Sequence, residues 1–198
     1  MIVECYPSYG MEENAYVLCD EVTRDCLIVD PGEPDGPAAA RAAALGTVRY
    51  ILLTHGHFDH ILGVAACKRK TDALLLIHEA DAAMLSSPEK SLCARFYGAG
   101  RQEILTPDIT LSGGEGLPFG KGTVRVIHTP GHTPGSVCYR IGDRMVTGDT
   151  LVCGSIGRTD FPGSSPSQMW RSLAKLAAMV KTYLTHGGKQ VQFNVVDQ

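Results

Sequence analysis

The sequence predicts an α/β (α+β) fold in which two mixed β-sheets pack face to face with helices outside, a four-layer αββα sandwich. Both halves of the chain begin with short strand-like runs separated by turn residues, and both continue into a stretch where strands alternate with helical segments. No linker or low-complexity segment lies between the halves. Two sheets that each bury one face are therefore expected to share a core, and residues 1–198 to form a single domain.

The composition is that of an ordinary soluble globular chain, with 44% hydrophobic and 20% charged residues among 198. A formal net charge of -3 gives no general attraction to nucleic acid or to an anionic membrane, so neither is an expected partner. The sequence has no apolar run of membrane-spanning length and no signal peptide, which favours a cytoplasmic location. Seven cysteines without a C-x-x-C pair predict neither a disulfide framework nor a thiolate zinc site.

The first third predicts three hairpin-connected strands at residues 2–6, 15–19 and 26–29. Asp30-Pro31-Gly32 ends the third strand, and a helix is expected from Pro37 to Leu45. A buried strand at 50–53 then leads through a histidine-rich turn into a helix reaching residue 70. A strand at 74–77, a helix at 79–85 and a less regular helical segment at 89–100 follow.

The second half predicts strands at 109–111, 123–128, 136–141 and 144–147, with a Gly-rich turn running through Gly122 and a hairpin turn at Gly142-Asp143. Residues 168–180 carry apolar side chains at the spacing of one helix face. A last short strand is expected at 182–185.

The turn after the strand at 50–53 places three imidazoles and a carboxylate within six residues, at His55, His57, Asp59 and His60. If the turn stays extended, His55 and His57 point to one side, while Asp59 and His60 at the helix entry point to a second position. A polar surface turn is the alternative interpretation, but this density of donors favours a metal site. One turn can then supply two metal ions.

Later turns offer the remaining donors, because a metal site is normally completed by distant groups. His132 lies between two Pro-Gly pairs directly after a strand, Asp149 follows the strand ending at Thr147, and His186 follows the last predicted strand. Since all of them emerge from strand ends, one sheet edge can gather them. His78 and His128 lie outside such turns and are not expected to bind metal.

Four segments, Thr54 to His60, Thr129 to Ser136, Gly148 to Leu151 and Gly157 to Phe161, together resemble the metallo-β-lactamase superfamily, and specifically its short bacterial glyoxalase II-like hydrolases. The resemblance implies the αββα fold and a dinuclear centre. It assigns His55, His57 and His132 to one metal, Asp59, His60 and His186 to the other, and Asp149 to a bridging position. It also implies that Asp30 supports the metal ligands without itself binding a metal.

Two departures from the family pattern bear on the substrate. His186 stands in Leu-Thr-His-Gly-Gly, whereas relatives have Pro-Gly-His-Gly, and only ten residues follow Gly188. The longer family members carry a helical C-terminal domain that contacts glutathione, and no separate domain of this kind is expected here. We therefore expect modest affinity for S-lactoylglutathione, and only a small loss of activity when glutathione is replaced by a simpler thiol.

Imidazole and carboxylate donors without thiolate suit two divalent ions, with zinc favoured and iron or manganese also compatible. Two such ions lower the pKa of a shared water from about 15.7 to roughly 7, which favours hydrolysis of a small-molecule thioester of the hydroxyacylglutathione type. Asp59 would be the catalytic residue that orients this water. No Gly-x-Ser-x-Gly nucleophile turn is present.

Other functions remain open. A persulfide dioxygenase shares the early motifs and the Gly-Arg-Thr-Asp-Phe segment, and would use a single iron at His55, His57 and the neighbourhood of Asp149. Hydrolysis of a lactone or a phosphodiester is a second alternative, and a non-enzymatic metal-binding protein a third. The candidate pocket walls are Phe58, Phe96, Tyr97, Phe161 and the turn from Asp160 to Ser165.

Overall fold

The computed structural model describes residues 1–8, 13–152 and 154–185. Its first sheet has the spatial order β1-β2-β3-β4-β5-β6. β1 to β3 pair antiparallel, whereas β3 to β6 pair parallel. These strands are β1 (Ile2–Pro7), β2 (Asn14–Cys19), β3 (Asp25–Val29), β4 (Thr47–Leu52), β5 (Leu74–His78) and β6 (Ile109–Leu111).

The second sheet is built by the last four strands in the order β10-β9-β8-β7, and all of its pairs are antiparallel. They are β7 (Gly116–Phe119), β8 (Gly122–His128), β9 (Val137–Ile141) and β10 (Arg144–Val146).

The helices are α1 (Ala38–Leu45), α2 (Phe58–Ile61), α3 (Val64–Thr71), α4 (Cys93–Phe96) and α5 (Pro166–Thr185). Short 3₁₀ turns occupy Ala82–Ser86, Ala99–Arg101 and Gly148–Thr150. The helix predicted after the histidine-rich turn is thus divided in two, and the one predicted at 79–85 is a 3₁₀ turn. Within the described part of the chain, no helix is both long enough and apolar enough to cross a bilayer.

The predicted four layers are confirmed, and strand alternation shows how they form. Val17 and Ile28 face a core shared with α1 and α3, whereas the adjacent Leu18 and Leu27 face a second core between the sheets. Successive residues of a strand point to opposite faces, so these apolar strands fill two cores at once. On the far side of the second sheet, α5 packs through Leu176.

Two expectations for the second sheet were wrong. It is wholly antiparallel, not mixed, and the Gly-rich turn through Gly122 contains the strand β7. The reason is the same for both: β7 and β8 are joined by the two-residue turn Gly120-Lys121, and β9 and β10 by Gly142-Asp143. Such short connections can join only antiparallel neighbours.

The strand predicted at residues 182–185 was also wrong, because α5 continues to Thr185. No glycine or proline interrupts the chain between Pro166 and Thr185. Extending an existing helix fixes one residue for each hydrogen bond gained, so a helix of this length propagates through β-branched residues that would not start one.

Candidate metal centre

The candidate metal centre lies where parallel strands of the first sheet end. Asp30 follows β3, and His55 and His57 follow β4, which pairs in parallel with β3. Asp59 and His60 lie in the single turn of α2 that comes next. The chain therefore delivers all these donors to one edge of the first sheet. The prediction that a single sheet edge gathers every donor was wrong for His132 and Asp149, which follow strands of the second sheet.

The second sheet supplies the opposite wall. His132 lies in the loop between β8 and β9, and Asp149 lies in the 3₁₀ turn after β10. Gly148 has a φ of +47°, and a Cβ at that position would come within 2.3 Å of the Thr54 hydroxyl. Glycine is required there because the turn carrying Asp149 presses against the segment that carries His55.

The first donor set contains His55, His57 and His132. One donor atom from each of these buried side chains lies within 4.8 Å of the others, and such a group can hold a metal ion. The three ring centroids are separated by 4.7 to 4.8 Å. Nδ1 of His57 lies only 2.8 Å from Nε2 of His132.

The second donor set contains His55, His60 and Asp149, again with donor atoms within 4.8 Å of one another. Oδ1 of Asp149 lies 3.4 Å from Nε2 of His60, and its Oδ2 lies 3.3 Å from Nε2 of His132. Asp149 thus turns one oxygen toward each set. Oδ2 of Asp59 lies 3.8 Å from Nε2 of His60, at the edge of the second set.

Hydrogen bonds on the outer side orient these imidazoles. Nδ1 of His60 contacts Oδ2 of Asp30 at 3.0 Å, and Nδ1 of His132 contacts the carbonyl oxygen of Arg158 at 2.8 Å. A carboxylate and a carbonyl only accept hydrogen bonds, so each ring donates from Nδ1. Nε2 of each ring then faces the centre, which is the usual arrangement for a metal-binding histidine.

Asp30 also holds the start of the turn. Its carboxylate accepts hydrogen bonds from the Thr54 backbone amide at 2.7 Å and from the Thr54 hydroxyl at 2.6 Å. Because this hydroxyl donates to Asp30, it can accept from Nδ1 of His55, which lies 3.2 Å away. The buried carboxylate of Asp30 therefore orients His60 directly and His55 through Thr54. This is the supporting role that the resemblance implied for it.

The environment keeps two histidines of the first set, His55 and His57, neutral. Burial lowers the pKa of His57 to about 3 and that of His55 well below its ordinary value. Burial also disfavours the charged form of His60. The carboxylates of Asp59 and Asp30 outweigh this effect and raise the His60 pKa well above its ordinary value. Neutral imidazoles offer the lone pairs that a metal ion needs.

Asp149 is ionised. Burial alone would raise its pKa, but the hydrogen bond and positive charge of His60 hold the pKa well below the ordinary value. For Asp59, burial and the neighbouring Asp149 raise the pKa, while His60 opposes that change. The centre therefore contains a negative charge that can compensate a cation.

Divalent metal ions fit these residues. Nε2 of His55 is buried and has no hydrogen-bond partner among the described residues. A buried polar atom is nearly always paired, so an exception requires an explanation. The ring nitrogens of His57 and His132 lie 2.8 Å apart, and one proton shared between them is enough to explain that contact. A cation coordinated by the cluster would give the His55 nitrogen its partner.

The cluster opens into a cavity of about 320 Å³. His57, Asp59, His132 and Asp149 form part of its lining. The other lining residues are Phe58, Leu92, Phe96, Arg158 and Phe161. Arg158 lies 4.4 Å above the Phe161 ring and pairs with Asp160 at the solvent-exposed rim.

Six of the seven predicted ligands, all except His186, lie together in this region, which is consistent with their proposed roles. His186 lies outside the described residues, and the assignment of each residue to a metal remains a prediction. His78 and His128 belong to neither donor set and stack on each other with ring centroids 4.1 Å apart.

Three of the predicted pocket walls line the cavity, namely Phe58, Phe96 and Phe161. Tyr97 does not line it, and its ring packs 6.0 Å from that of Phe58. Of the predicted turn from Asp160 to Ser165, Phe161 alone is among the residues that line the cavity. Sequence reasoning missed two lining residues. Arg158 stands in a family motif, which was a usable signal, whereas nothing in the sequence singled out Leu92, which reaches the cavity through a backbone φ of +68°.

Comparison with known proteins agrees with this geometry. The family model described as metallo-beta-lactamase superfamily matches residues 9–184. A hydroxyacylglutathione hydrolase of Anaeromyxobacter dehalogenans is 36% identical over 164 residues, which cover 83% of this chain and 55% of that protein.

Two solved structures are similar over most of their length. The BLEG-1 B3 metallo-beta-lactamase is 33% identical with a TM-score of 0.78, covering 87% of this chain and 84% of that one. TTHA1623 in a di-iron-bound form is 31% identical with a TM-score of 0.72, covering 89% of this chain and 86% of that one. From the family match and the fold, this chain belongs to the metallo-beta-lactamase superfamily.

Proposed function

We propose that this protein is a metal-dependent hydrolase that cleaves a small-molecule thioester of the hydroxyacylglutathione type. The observation that carries the proposal is the pair of donor sets that share His55, are joined by Asp149, and open into one cavity. The hydroxyacylglutathione hydrolase among its relatives supports the choice of substrate class, and the di-iron-bound structure supports two ions. Zinc is the favoured metal, and iron and manganese fit the same donors.

Two divalent ions bound here would supply Lewis acidity toward the thioester carbonyl and a water that is deprotonated near neutral pH. The protein's own groups position the reactants. Asp149 contributes negative charge to both donor sets, and Asp59, whose side chain is 26% exposed, lines the cavity where it can accept a hydrogen bond from the attacking water. A thiolate leaves readily, so no acidic side chain is required to protonate it.

The cavity lining suits the two ends of such a substrate. The rings of Phe58, Phe96 and Phe161 form an apolar wall for the acyl and thioether carbons. Cationic groups lie at its outer edge, where Arg158 covers Phe161 and Arg95 lies 5.0 Å above Phe96. Carboxylates of the thiol portion would meet Arg95 and, in competition with Asp160, Arg158, because guanidinium groups bind carboxylates well.

These arginines are exposed, so we expect only moderate discrimination between thiols. The preference in kcat/KM for S-lactoylglutathione over the lactoyl thioester of N-acetylcysteamine should be about tenfold, because exposed charge contacts contribute little to binding. Replacing Arg158 by alanine should reduce kcat/KM about threefold for the glutathione ester and leave that for the uncharged thioester unchanged.

Steady-state kinetics on both esters provide the test, and Arg49→Ala is the matched control because Arg49 is an exposed arginine of β4 outside the cavity lining. A preference above about a hundredfold would contradict moderate recognition and would require buried, dedicated contacts to the tripeptide. Metal-loaded protein that cleaves neither ester would contradict the proposed function itself.

An iron-dependent persulfide dioxygenase is a second candidate. It is favoured by the set His55, His60 and Asp149, since two imidazoles and one carboxylate are the ligands used by many non-haem Fe(II) oxygenases. The first set of three imidazoles beside it favours hydrolysis, because two adjacent donor sets can hold the pair of ions that activates a water molecule.

A further inference from the structure

A fully buried carboxylate lies between the two loops that carry the first donor set. Asp81 follows β5 by three residues and is 0% exposed. It belongs to neither donor set and does not line the cavity at the centre. A carboxylate in such a position is costly unless hydrogen bonds compensate for its burial, so its contacts indicate its role.

Asp81 accepts hydrogen bonds from both loops. Oδ2 receives the Gly56 backbone amide at 3.2 Å, and Gly56 is the residue between His55 and His57. The same oxygen receives the Thr133 hydroxyl at 2.6 Å, and Oδ1 receives the Gly135 amide at 2.8 Å. Thr133 directly follows His132. A single carboxylate thus connects the backbone of the His55 and His57 turn to the loop of His132.

The loop geometry depends on close approach to this carboxylate. A Cβ at Gly135 would come within 2.6 Å of the Asp81 carboxyl group, so the loop comes near enough to donate its amide only because residue 135 is glycine. The two loops come from different sheets, since His55 and His57 follow β4 and His132 follows β8. The link at Asp81 therefore spans the gap between the sheets.

We propose that Asp81 is a positioning residue that fixes the separation of the His55 and His57 turn from the His132 loop, and so sets the geometry of the first donor set. It touches neither the reacting atoms nor a metal ligand's donor atom. Its effect is exerted through the backbone of Gly56 and of residues 133–135. Metal affinity should therefore depend on it, because groups that orient ligands typically change affinity by about 10- to 100-fold when removed.

Asp81 accepts all three of its hydrogen bonds, so replacing it with asparagine should cause a partial loss of them and replacing it with alanine a complete loss. An amide has one oxygen and one NH2 group, so either orientation of Asp81→Asn leaves one of the two backbone amides, Gly56 or Gly135, facing a donor. The Thr133 hydroxyl can adapt, since it also lies 2.7 Å from the Ser136 hydroxyl. Asp81→Ala removes every acceptor. The asparagine variant should thus be milder than the alanine variant.

The experiment measures zinc binding to protein first stripped by a chelator, using competition with a chromophoric chelator, and the absorption spectrum of the cobalt-substituted protein. Asp81→Asn should weaken zinc binding by the first donor set about tenfold and Asp81→Ala about a hundredfold, with altered cobalt bands. Asp20→Asn is the matched control, since the Asp20 carboxylate also accepts two backbone amides, at 3.0 and 2.8 Å, in the turn between β2 and β3. It should bind zinc as the unaltered protein does.

A second comparison separates positioning from general stabilisation. In a His132→Ala background the first set is already broken, so Asp81→Asn should cause no further loss in affinity for an ion that remains. Unaltered zinc affinity and cobalt bands in folded Asp81→Asn would overturn the proposal. So would an equal loss in both backgrounds, which indicates a structural role alone. If the alanine variant does not fold, the asparagine variant in the two backgrounds still decides.

Discussion

His57→Ala and His132→Ala are each expected to remove the ion held by the first donor set, and activity with it, with a loss in kcat/KM of about a thousandfold or more, because metal ions contribute several kcal/mol of charge stabilisation in the transition state. Both side chains belong to the first donor set, and their facing nitrogens are 2.8 Å apart. Losing either nitrogen leaves two donors for that ion. The fold should survive, since both histidines lie in loops outside the hydrophobic cores.

Metal per chain, measured beside a circular dichroism spectrum, tests this expectation. His78→Ala is the control, because His78 is also a buried histidine but belongs to neither donor set. It should retain the metal. Full metal retention in both His57→Ala and His132→Ala would mean that the first donor set has been wrongly assigned.

Asp149→Asn is expected to reduce kcat about a hundredfold or more, and by more than His186→Ala does. The carboxylate of Asp149 faces both donor sets, through His60 at 3.4 Å and His132 at 3.3 Å. Replacing it with a neutral amide removes negative charge from both at once. His186 is assigned to one metal only, so its loss should affect one ion.

Turnover rates at saturating metal decide this comparison. Asp143→Asn, in the exposed hairpin turn between β9 and β10, is the matched substitution and should leave the rate unchanged. If His186→Ala retained full activity with a single ion per chain, the centre would be mononuclear. A mild Asp149→Asn variant with two ions bound would contradict the bridging position.

The residues of the candidate centre could be predicted from the sequence, because metal chemistry restricts ligands to a few residue types and these stand at strand ends. His55, His57, Asp59 and His60 are dense enough to be recognised without a structure, and His132 stands between two Pro-Gly pairs. Even Asp30, 24 residues before Thr54, was anticipated through its motif, and it contacts both Thr54 and His60.

The supporting residues could not be predicted in this way. Asp81 is one acidic residue among 21, and its importance depends on two loops from different sheets meeting at its carboxylate. Leu92 reaches the cavity through a positive φ that leucine rarely adopts. Local pattern also misjudged residues 182–185, where continuation of α5 outweighs the preference of threonine and tyrosine for strands. In each case tertiary context decides the outcome, not the local sequence.

The central claim is that both donor sets act together in hydrolysis. The most direct test divides one preparation of the protein into two portions and loads one with zinc and the other with iron. Each portion is then assayed for metal per chain, thioester cleavage and oxygen uptake. We expect two ions per chain and cleavage of S-lactoylglutathione, abolished by chelation and restored by metal, without oxygen consumption. One iron per chain, with oxygen consumed in the presence of a persulfide and no thioester cleaved, would contradict this account.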